Sequence, residues 1–74
     1  ILIHELTYYF QCIYSNKMNT NMSSIHNHIL PLNTINFIEN AYKKDYWKIE
    51  YEAFYYQKNS KEFEKLEKFI LTII

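Results

Sequence analysis

Three stretches of the sequence carry hydrophobic residues at the three- and four-residue spacing of an α-helix. Such spacing places hydrophobic side chains on one face of a helix, which is then available for burial. We therefore predict an all-α fold of three helices over about residues 1–14, 34–57 and 60–74. The first helix has a wide hydrophobic face of Leu2, Leu6, Tyr9 and Ile13, with Ile3, Phe10 and Tyr14 beside them. That of the third comprises Phe63, Leu66, Ile70 and Ile73 or Ile74.

Short polar side chains fill the interval between the first two helices. This interval is rich in Asn and Ser, whose side chains compete with the backbone for hydrogen bonds and disfavour a regular helix. Pro31 turns the residue before it away from helical geometry, and Asn33 or Thr34 is placed to cap the next helix. The pattern predicts a long Asn/Ser-rich loop over 15–33. A strand over 25–32 is the alternative, although no other segment is an obvious partner for it.

A sideways shift of the hydrophobic stripe predicts a boundary between the second and third helices. Across residues 57–62 the stripe moves by roughly 60–90°, more than the drift of ~20° per heptad in a straight helix. Asn59 and Glu62 also have the spacing of a capping box, in which each side chain bonds the other residue's backbone amide. We therefore prefer a break here over one continuous helix from Thr34 to the end.

The second predicted helix has more hydrophobic positions than one face can hold. Its first face comprises Ile35, Ile38, Tyr42, Tyr46, Ile49, Ala53 and Tyr56. Nearly opposite lies a second, aromatic face of Trp47, Tyr51, Phe54 and Tyr55, joined by Phe37. Narrow charged seams that include Glu50 and Glu52 separate the two faces and are expected to be solvated. A helix with two hydrophobic faces needs a neighbour on both sides.

Length and charge limit what the chain can be. Its 74 residues make one small helical domain or a fragment, and a domain of that size buries a modest share of its surface. Eight lysines balance eight acidic residues, so no overall field attracts the chain to nucleic acid or to an anionic membrane. No apolar run reaches the ~20 residues that span a bilayer. Because the first residue is Ile1, we expect a processed product, a fragment or the ordered part of a longer chain.

Few residues offer catalytic or metal chemistry. Glycine is absent, which excludes the phosphate-binding loops and dinucleotide fingerprints that require it. Cys12 is the only cysteine, so no internal disulfide can form, and we expect it to be a small buried hydrophobic residue. His26 and His28 are spaced like a metal pair, but a zinc site needs three or four ligands. We expect no enzyme activity, no catalytic or metal site, no cofactor and no small-molecule substrate.

The aromatic residues indicate a binding function instead. Tyr and Trp are enriched where protein surfaces meet, and they concentrate binding energy there. We predict that Trp47, Tyr51, Phe54 and Tyr55 dock this chain, as a non-catalytic accessory subunit, onto protein subunits of a larger macromolecular complex. The alternative is that the chain's own first helix and terminal segments cover this face.

RNA contact is the second functional hypothesis. Lys43, Lys44, Lys48 and Lys58 alternate with aromatic residues, and cations beside aromatic rings bind single-stranded RNA. The chain would then be an accessory factor of a ribonucleoprotein such as a ribosome, in contact with ribosomal RNA. Acidic residues in the same helix weaken the positive electrostatic potential of these lysines. For either function we expect an intracellular, cytoplasmic protein, with an organelle left open.

Overall fold

The structure, a computed structural model, describes residues 2–74, and their regular structure is entirely helical. The α-helices are α1 (Leu2–Met18), α2 (Leu32–Ala41), α3 (Trp47–Lys58) and α4 (Ser60–Ile73), and a short 3₁₀ turn (Lys44–Tyr46) precedes α3. The predicted all-α class is confirmed. The predicted three-helix arrangement is wrong, because the helix expected over 34–57 is divided into α2 and α3. No strand forms within the described residues.

A side-chain hydrogen bond stabilises the break between α2 and α3. Tyr42, which follows α2, is extended, with φ −125° and ψ 156°. Its carbonyl oxygen accepts a hydrogen bond from the indole Nε1 of Trp47 at 3.0 Å. The indole replaces the backbone partner that a continuous helix would supply, so the freed carbonyl is still bonded. Neither glycine nor proline marks this position, and hydrophobic spacing therefore predicted an unbroken helix.

The irregular segment between α1 and α2 is shorter than the loop predicted over 15–33. It covers residues 19–31, because four residues at its start belong to α1 and two at its end belong to α2. We call it the 19–31 segment. Pro31 directly precedes α2, and no side chain caps that helix. The predicted caps at Asn33 and Thr34 are therefore wrong.

Asparagine takes the place of glycine at the end of α1. Asn19 has φ 57°, the left-handed conformation that often closes a helix. The amide of Thr20 then donates to the carbonyl oxygen of Ser15 at 2.9 Å. In a chain without glycine, Asn adopts this conformation at lower cost than most other residues.

The break between α3 and α4 is confirmed, although its capping differs from the prediction. The Nδ2 of Asn59 donates to the carbonyl oxygen of Tyr55 at 2.7 Å, and no side chain caps the start of α4. The capping box of Asn59 and Glu62 is therefore wrong. The hydrophobic stripe of α4 is confirmed, with Phe63, Leu66 and Ile70 buried.

α1 and α4 enclose the main hydrophobic cluster. The rings of Phe10 and Phe63 are stacked with centroids 5.4 Å apart, and those of Tyr14 and Phe69 are 6.1 Å apart. Because these pairs advance together along both helices, α1 and α4 run in the same general direction. Tyr56 of α3 joins this cluster.

The buried face of α1 differs from the predicted one. Leu2 and Tyr9 are exposed, whereas polar residues occupy a buried stripe at four-residue spacing: Thr7, Gln11 and Ser15. Cys12, predicted to be buried, is exposed. The predicted face is thus right in part, because Leu6 and Ile13 pack against the main hydrophobic cluster. Hydrophobicity alone missed the hydrogen bonds by which Gln11 and Ser15 join α1 to α3 and to the 19–31 segment.

One of these hydrogen-bond partners of α1 is the carboxylate of Glu52 in α3. Its side chain is fully buried, and each carboxylate oxygen accepts two hydrogen bonds. Oε1 accepts from the amide of Ile25 at 2.7 Å and from Nε2 of Gln11 at 3.1 Å. Oε2 accepts from the amide of His26 and from Nε2 of His28, both at 2.8 Å. A buried carboxylate is tolerated when its lone pairs are bonded in this way. The prediction that Glu50 and Glu52 are solvated is wrong.

Removing this carboxylate should destabilise the whole chain. Glu52→Ala leaves the amides of Ile25 and His26 without partners, and each buried donor left without a partner costs ~1–3 kcal/mol. Because a small domain has a free energy of unfolding of only ~5 kcal/mol, we expect the variant to be largely unfolded by circular dichroism and urea titration. Glu64→Ala, at an exposed position of α4, should change stability by less than ~0.5 kcal/mol.

Hydrogen exchange in the unaltered protein provides an independent measurement. The amides of Ile25 and His26 should exchange more slowly than that of exposed Asn21, since only the former two are bonded to a buried anion. Equal exchange rates would contradict the assignment of Glu52 as the group that holds the 19–31 segment.

Candidate binding site at the start of α3

A cleft lies where α3 begins, between the first turns of that helix and the 19–31 segment. Its hydrophobic lining comprises Met22, Trp47, Ile49 and Tyr51. Its polar lining comprises Ser23, Lys44, Asp45 and Lys48. We call it the α3 cleft. It brings together two of the four predicted partner-binding rings and two of the four predicted RNA-contacting lysines.

Both aromatic rings of the cleft are held by α2 or by the residue that follows it. The indole of Trp47 donates to the carbonyl oxygen of Tyr42. The hydroxyl of Tyr51 donates to the carboxylate of Glu39 in a short hydrogen bond. Each ring is thus fixed at its polar edge, and both remain only partly buried. Aromatic side chains held in this way lose little conformational entropy when a ligand binds.

The charged rim of the cleft is positive on balance. Lys44 and Lys48 are exposed, and within residues 2–74 neither ammonium lies within 4 Å of a carboxylate. Asp45 is the one acidic residue of the lining. The cleft therefore combines a hydrophobic interior with two lysines that have no ion-pair partner in the described chain.

The other two predicted partner-binding rings lie elsewhere and pack within the chain. Phe54 meets the rings of His4, Phe37 and Tyr42 edge-on, with centroids 4.9, 5.8 and 6.4 Å away. Phe54 thereby joins α3 to both α1 and α2. Of the four rings, Trp47 and Tyr51 line the α3 cleft, and Phe54 and Tyr55 do not.

Tyr55 holds the 19–31 segment. Its ring is stacked on that of His28, with centroids 4.1 Å apart and planes at 19°. The same imidazole donates to Glu52. Tyr55 therefore packs on the face of the imidazole whose Nε2 edge bonds the carboxylate of Glu52.

The two remaining predicted lysines do not line the α3 cleft. Lys43 is exposed in the link between α2 and the 3₁₀ turn. Lys58, at the end of α3, lines a different cleft together with Phe37 and Phe54. The predicted RNA-contacting lysines are therefore divided between separate surfaces.

A second, partly buried polar network joins α1 to α3, and its residues were not predicted from the sequence. The hydroxyl of Tyr8 donates to both carboxylate oxygens of Glu50, at 2.7 and 2.8 Å. Nε2 of His4 lies 2.7 Å from the Tyr8 hydroxyl oxygen, and its Nδ1 lies 2.7 Å from Oε1 of Gln57. These groups bond one another, so their geometry supports a structural role. The i, i+4 spacing of His4 and Tyr8 was the one signal of it in the sequence.

Burial and neighbouring carboxylates raise the pKa values of Tyr8 and Tyr51. Burial raises the pKa of Tyr8, and its hydrogen bond to Glu50 raises it further. For Tyr51, the hydrogen bond to Glu39 is the main cause, and it raises the pKa to about 12. These phenols are therefore neutral hydrogen-bond donors at physiological pH, and Tyr51 presents an uncharged ring to the cleft.

His26 and His28 lie edge-on to each other, with ring centroids 6.4 Å apart, but they make different contacts. His28 bonds to Glu52, whereas the ring of His26 lies against Phe69, with centroids 5.5 Å apart. Over residues 2–74, no three side chains among His, Cys, Asp and Glu come close enough together to hold a metal ion.

Comparisons with known proteins assign no family. No protein-family model matches the sequence, and neither a curated protein nor a solved structure matches the chain. Among the helices of the described residues, none combines the length and the hydropathy needed to cross a bilayer.

The tyrosine pKa values generate a pH-dependent test. Because the pKa of folded Tyr51 is about 12 and that of an unfolded tyrosine is ~10, its contribution to stability is complete below pH ~10. That contribution is lost as the pH rises through 12. We expect a late tyrosinate transition in the ultraviolet absorbance of the native protein. Tyr51→Phe should remove one tyrosine from it, and Glu39→Gln should shift one to lower pH.

Two controls accompany this titration. Tyr9→Phe, on the exposed face of α1, should leave the late transition intact. In concentrated urea all tyrosines should titrate together near the unperturbed pKa of ~10. A native protein whose eight tyrosines also ionise as a single group near pH 10 would contradict the Tyr51–Glu39 contact.

Proposed function

We propose that this chain is a non-catalytic helical accessory subunit that docks onto protein subunits of a larger assembly through the α3 cleft. The observation that supports this most is the pair of rings, Trp47 and Tyr51, held in place by hydrogen bonds yet partly exposed in one cleft. Anchoring aromatic residues in a pre-formed pocket are typical of sites that concentrate protein–protein binding energy. The docking surface proposed here is therefore smaller than the four-ring face predicted from the sequence.

Hydrophobic residues outside the cleft also favour a partner. Tyr9, Leu32, Phe37 and Leu71 are each more than half exposed on the helices. Scattered exposed hydrophobic residues are normal in soluble proteins, so they add weight only alongside the cleft. We assign no catalytic residue, metal or cofactor.

RNA binding is a second candidate, and one observation favours it. Lys44 and Lys48 lie in the same cleft as Trp47 and Tyr51, which is the pairing of cations and stacking platforms used for single strands. Against it, Asp45 lines the same cleft, and Lys43 and Lys58 do not contribute to it. Protein docking is therefore the better-supported function.

Substituting the two cleft rings should release the chain from its partners. We expect Trp47→Ser with Tyr51→Ser to reduce partner recovery at least about tenfold in affinity isolation of the tagged protein from its native cells, since loss of an anchoring aromatic residue costs ~2 kcal/mol or more. Tyr9→Ser removes an exposed ring from α1 and serves as the matched control. Recovery of the same partners with the cleft variant and the control would contradict docking through the α3 cleft.

Loss of folding must be separated from loss of docking. The double variant also removes the hydrogen bonds to Tyr42 and Glu39, so its helical content and urea midpoint need measurement. Lys44→Glu with Lys48→Glu changes only exposed side chains and should keep the fold while weakening docking. If partner recovery is unchanged in this second variant as well, the α3 cleft is not the docking site.

A further inference from the structure

The chemistry of the α3 cleft restricts what can occupy it. Its hydrophobic wall combines two aromatic rings with Met22 and Ile49. Met22 is 43% exposed, and the unbranched thioether of methionine adapts its shape to a neighbouring hydrophobic group. This lining fits a large apolar side chain better than a polar one.

The rim adds a requirement for negative charge. Lys44 and Lys48 have no ion-pair partner among the described residues. Within the lining only Asp45 opposes them, while the carboxylate of Glu39 lies beside the cleft, bonded to Tyr51. Charge complementarity across an interface favours association with the opposite sign and excludes like-charged partners.

The cleft is also rigid enough to select its occupant. Trp47 and Tyr51 are bonded to the end of α2 and to Glu39. The 19–31 segment, which carries Met22, is fixed by the buried carboxylate of Glu52. Pre-organised walls discriminate between ligands because little of the binding energy is used to order the site.

We infer that the α3 cleft binds an acidic peptide segment of a protein partner, with one large apolar side chain inserted between the rings and flanking carboxylates beside Lys44 and Lys48. This inference rests on the proposed docking function and specifies the chemistry of the partner. A nucleic acid fits less well, because Met22 and Ile49 offer aliphatic contacts to bases that prefer to stack.

Synthetic peptides test the inference directly. The acidic probe is blocked Asp-Glu-Phe-Glu-Asp, and two matched peptides change either its charges (Asn-Gln-Phe-Gln-Asn) or its anchor (Asp-Glu-Ala-Glu-Asp). Trp47 is the only tryptophan, so its fluorescence reports occupancy of the cleft without a label. At low ionic strength we expect the acidic probe to bind about tenfold more tightly than either matched peptide, a difference of ~1.4 kcal/mol.

Charge reversal supplies a control and a rescue. Lys44→Glu with Lys48→Glu should weaken binding of the acidic probe at least about tenfold and should create binding of Lys-Lys-Phe-Lys-Lys. Lys61→Glu with Lys68→Glu reverses two exposed charges on α4 and should leave the affinity for the acidic probe within about twofold. If the two double variants change the affinity for the acidic probe equally, Lys44 and Lys48 are not the residues that bind its carboxylates.

The remaining outcomes are decisive for the inference and separable from the docking proposal. Equal binding of the acidic and neutral peptides would overturn the acidic specificity but leave docking through the rings standing. Tighter binding of a short oligouridylate than of the acidic probe would overturn it in favour of RNA. A dimer detected by sedimentation and dissociated by Lys44→Glu with Lys48→Glu would overturn it in favour of a second copy of the chain. If partner recovery from cells is insensitive to every cleft variant, docking itself is wrong.

Discussion

The fold depends on the hydrogen bonds made to one buried anion, the carboxylate of Glu52. A carboxylate removed from water is strongly destabilising unless its oxygens are bonded, and Glu52 meets this condition with four donors. One donor belongs to α1 and three belong to the 19–31 segment, so the same requirement positions both against α3. That segment has neither helix nor strand of its own. Its conformation is therefore set by a side chain more than twenty residues away, and the position of Met22 at the α3 cleft follows from it.

The central position of α3 explains its unusual number of aromatic residues. α1, α2 and α4 all pack against it, so it has several neighbours and no single solvent face. Its rings then divide by role. Phe54 and Tyr55 join α3 to α1, α2 and the 19–31 segment, whereas Trp47 and Tyr51 line the α3 cleft. The hydrogen bonds that fix the latter two rings also hold the break after α2, so one set of contacts shapes both the fold and the candidate site.

The spacing of hydrophobic residues along the sequence predicted those features of the fold that depend on hydrophobic burial. The stripe of Phe63, Leu66 and Ile70 and the break before α4 belong to this class. It could not predict the break at Tyr42, which depends on one indole, or the burial of Glu52, which depends on donors distant in sequence. The polar contacts of α1 were missed for the same reason, although Thr7, Gln11 and Ser15 repeat every four residues. This repeat was a usable signal for Gln11 and Ser15, which bond α3 and the 19–31 segment, whereas Thr7 bonds within α1.

Burial of carboxylates also changes how the neutral composition should be understood. Eight lysines and eight acidic residues cancel in the sequence, but all eight lysines are exposed, whereas Glu50 and Glu52 are buried. Six acidic residues thus remain at or near the surface. The buried pair is bonded internally by Tyr8 and by the amides of the 19–31 segment, and neither carboxylate makes an ion pair with a lysine of the described chain. Lysines therefore outnumber carboxylates among the exposed side chains, and two of these lysines lie at the rim of the α3 cleft.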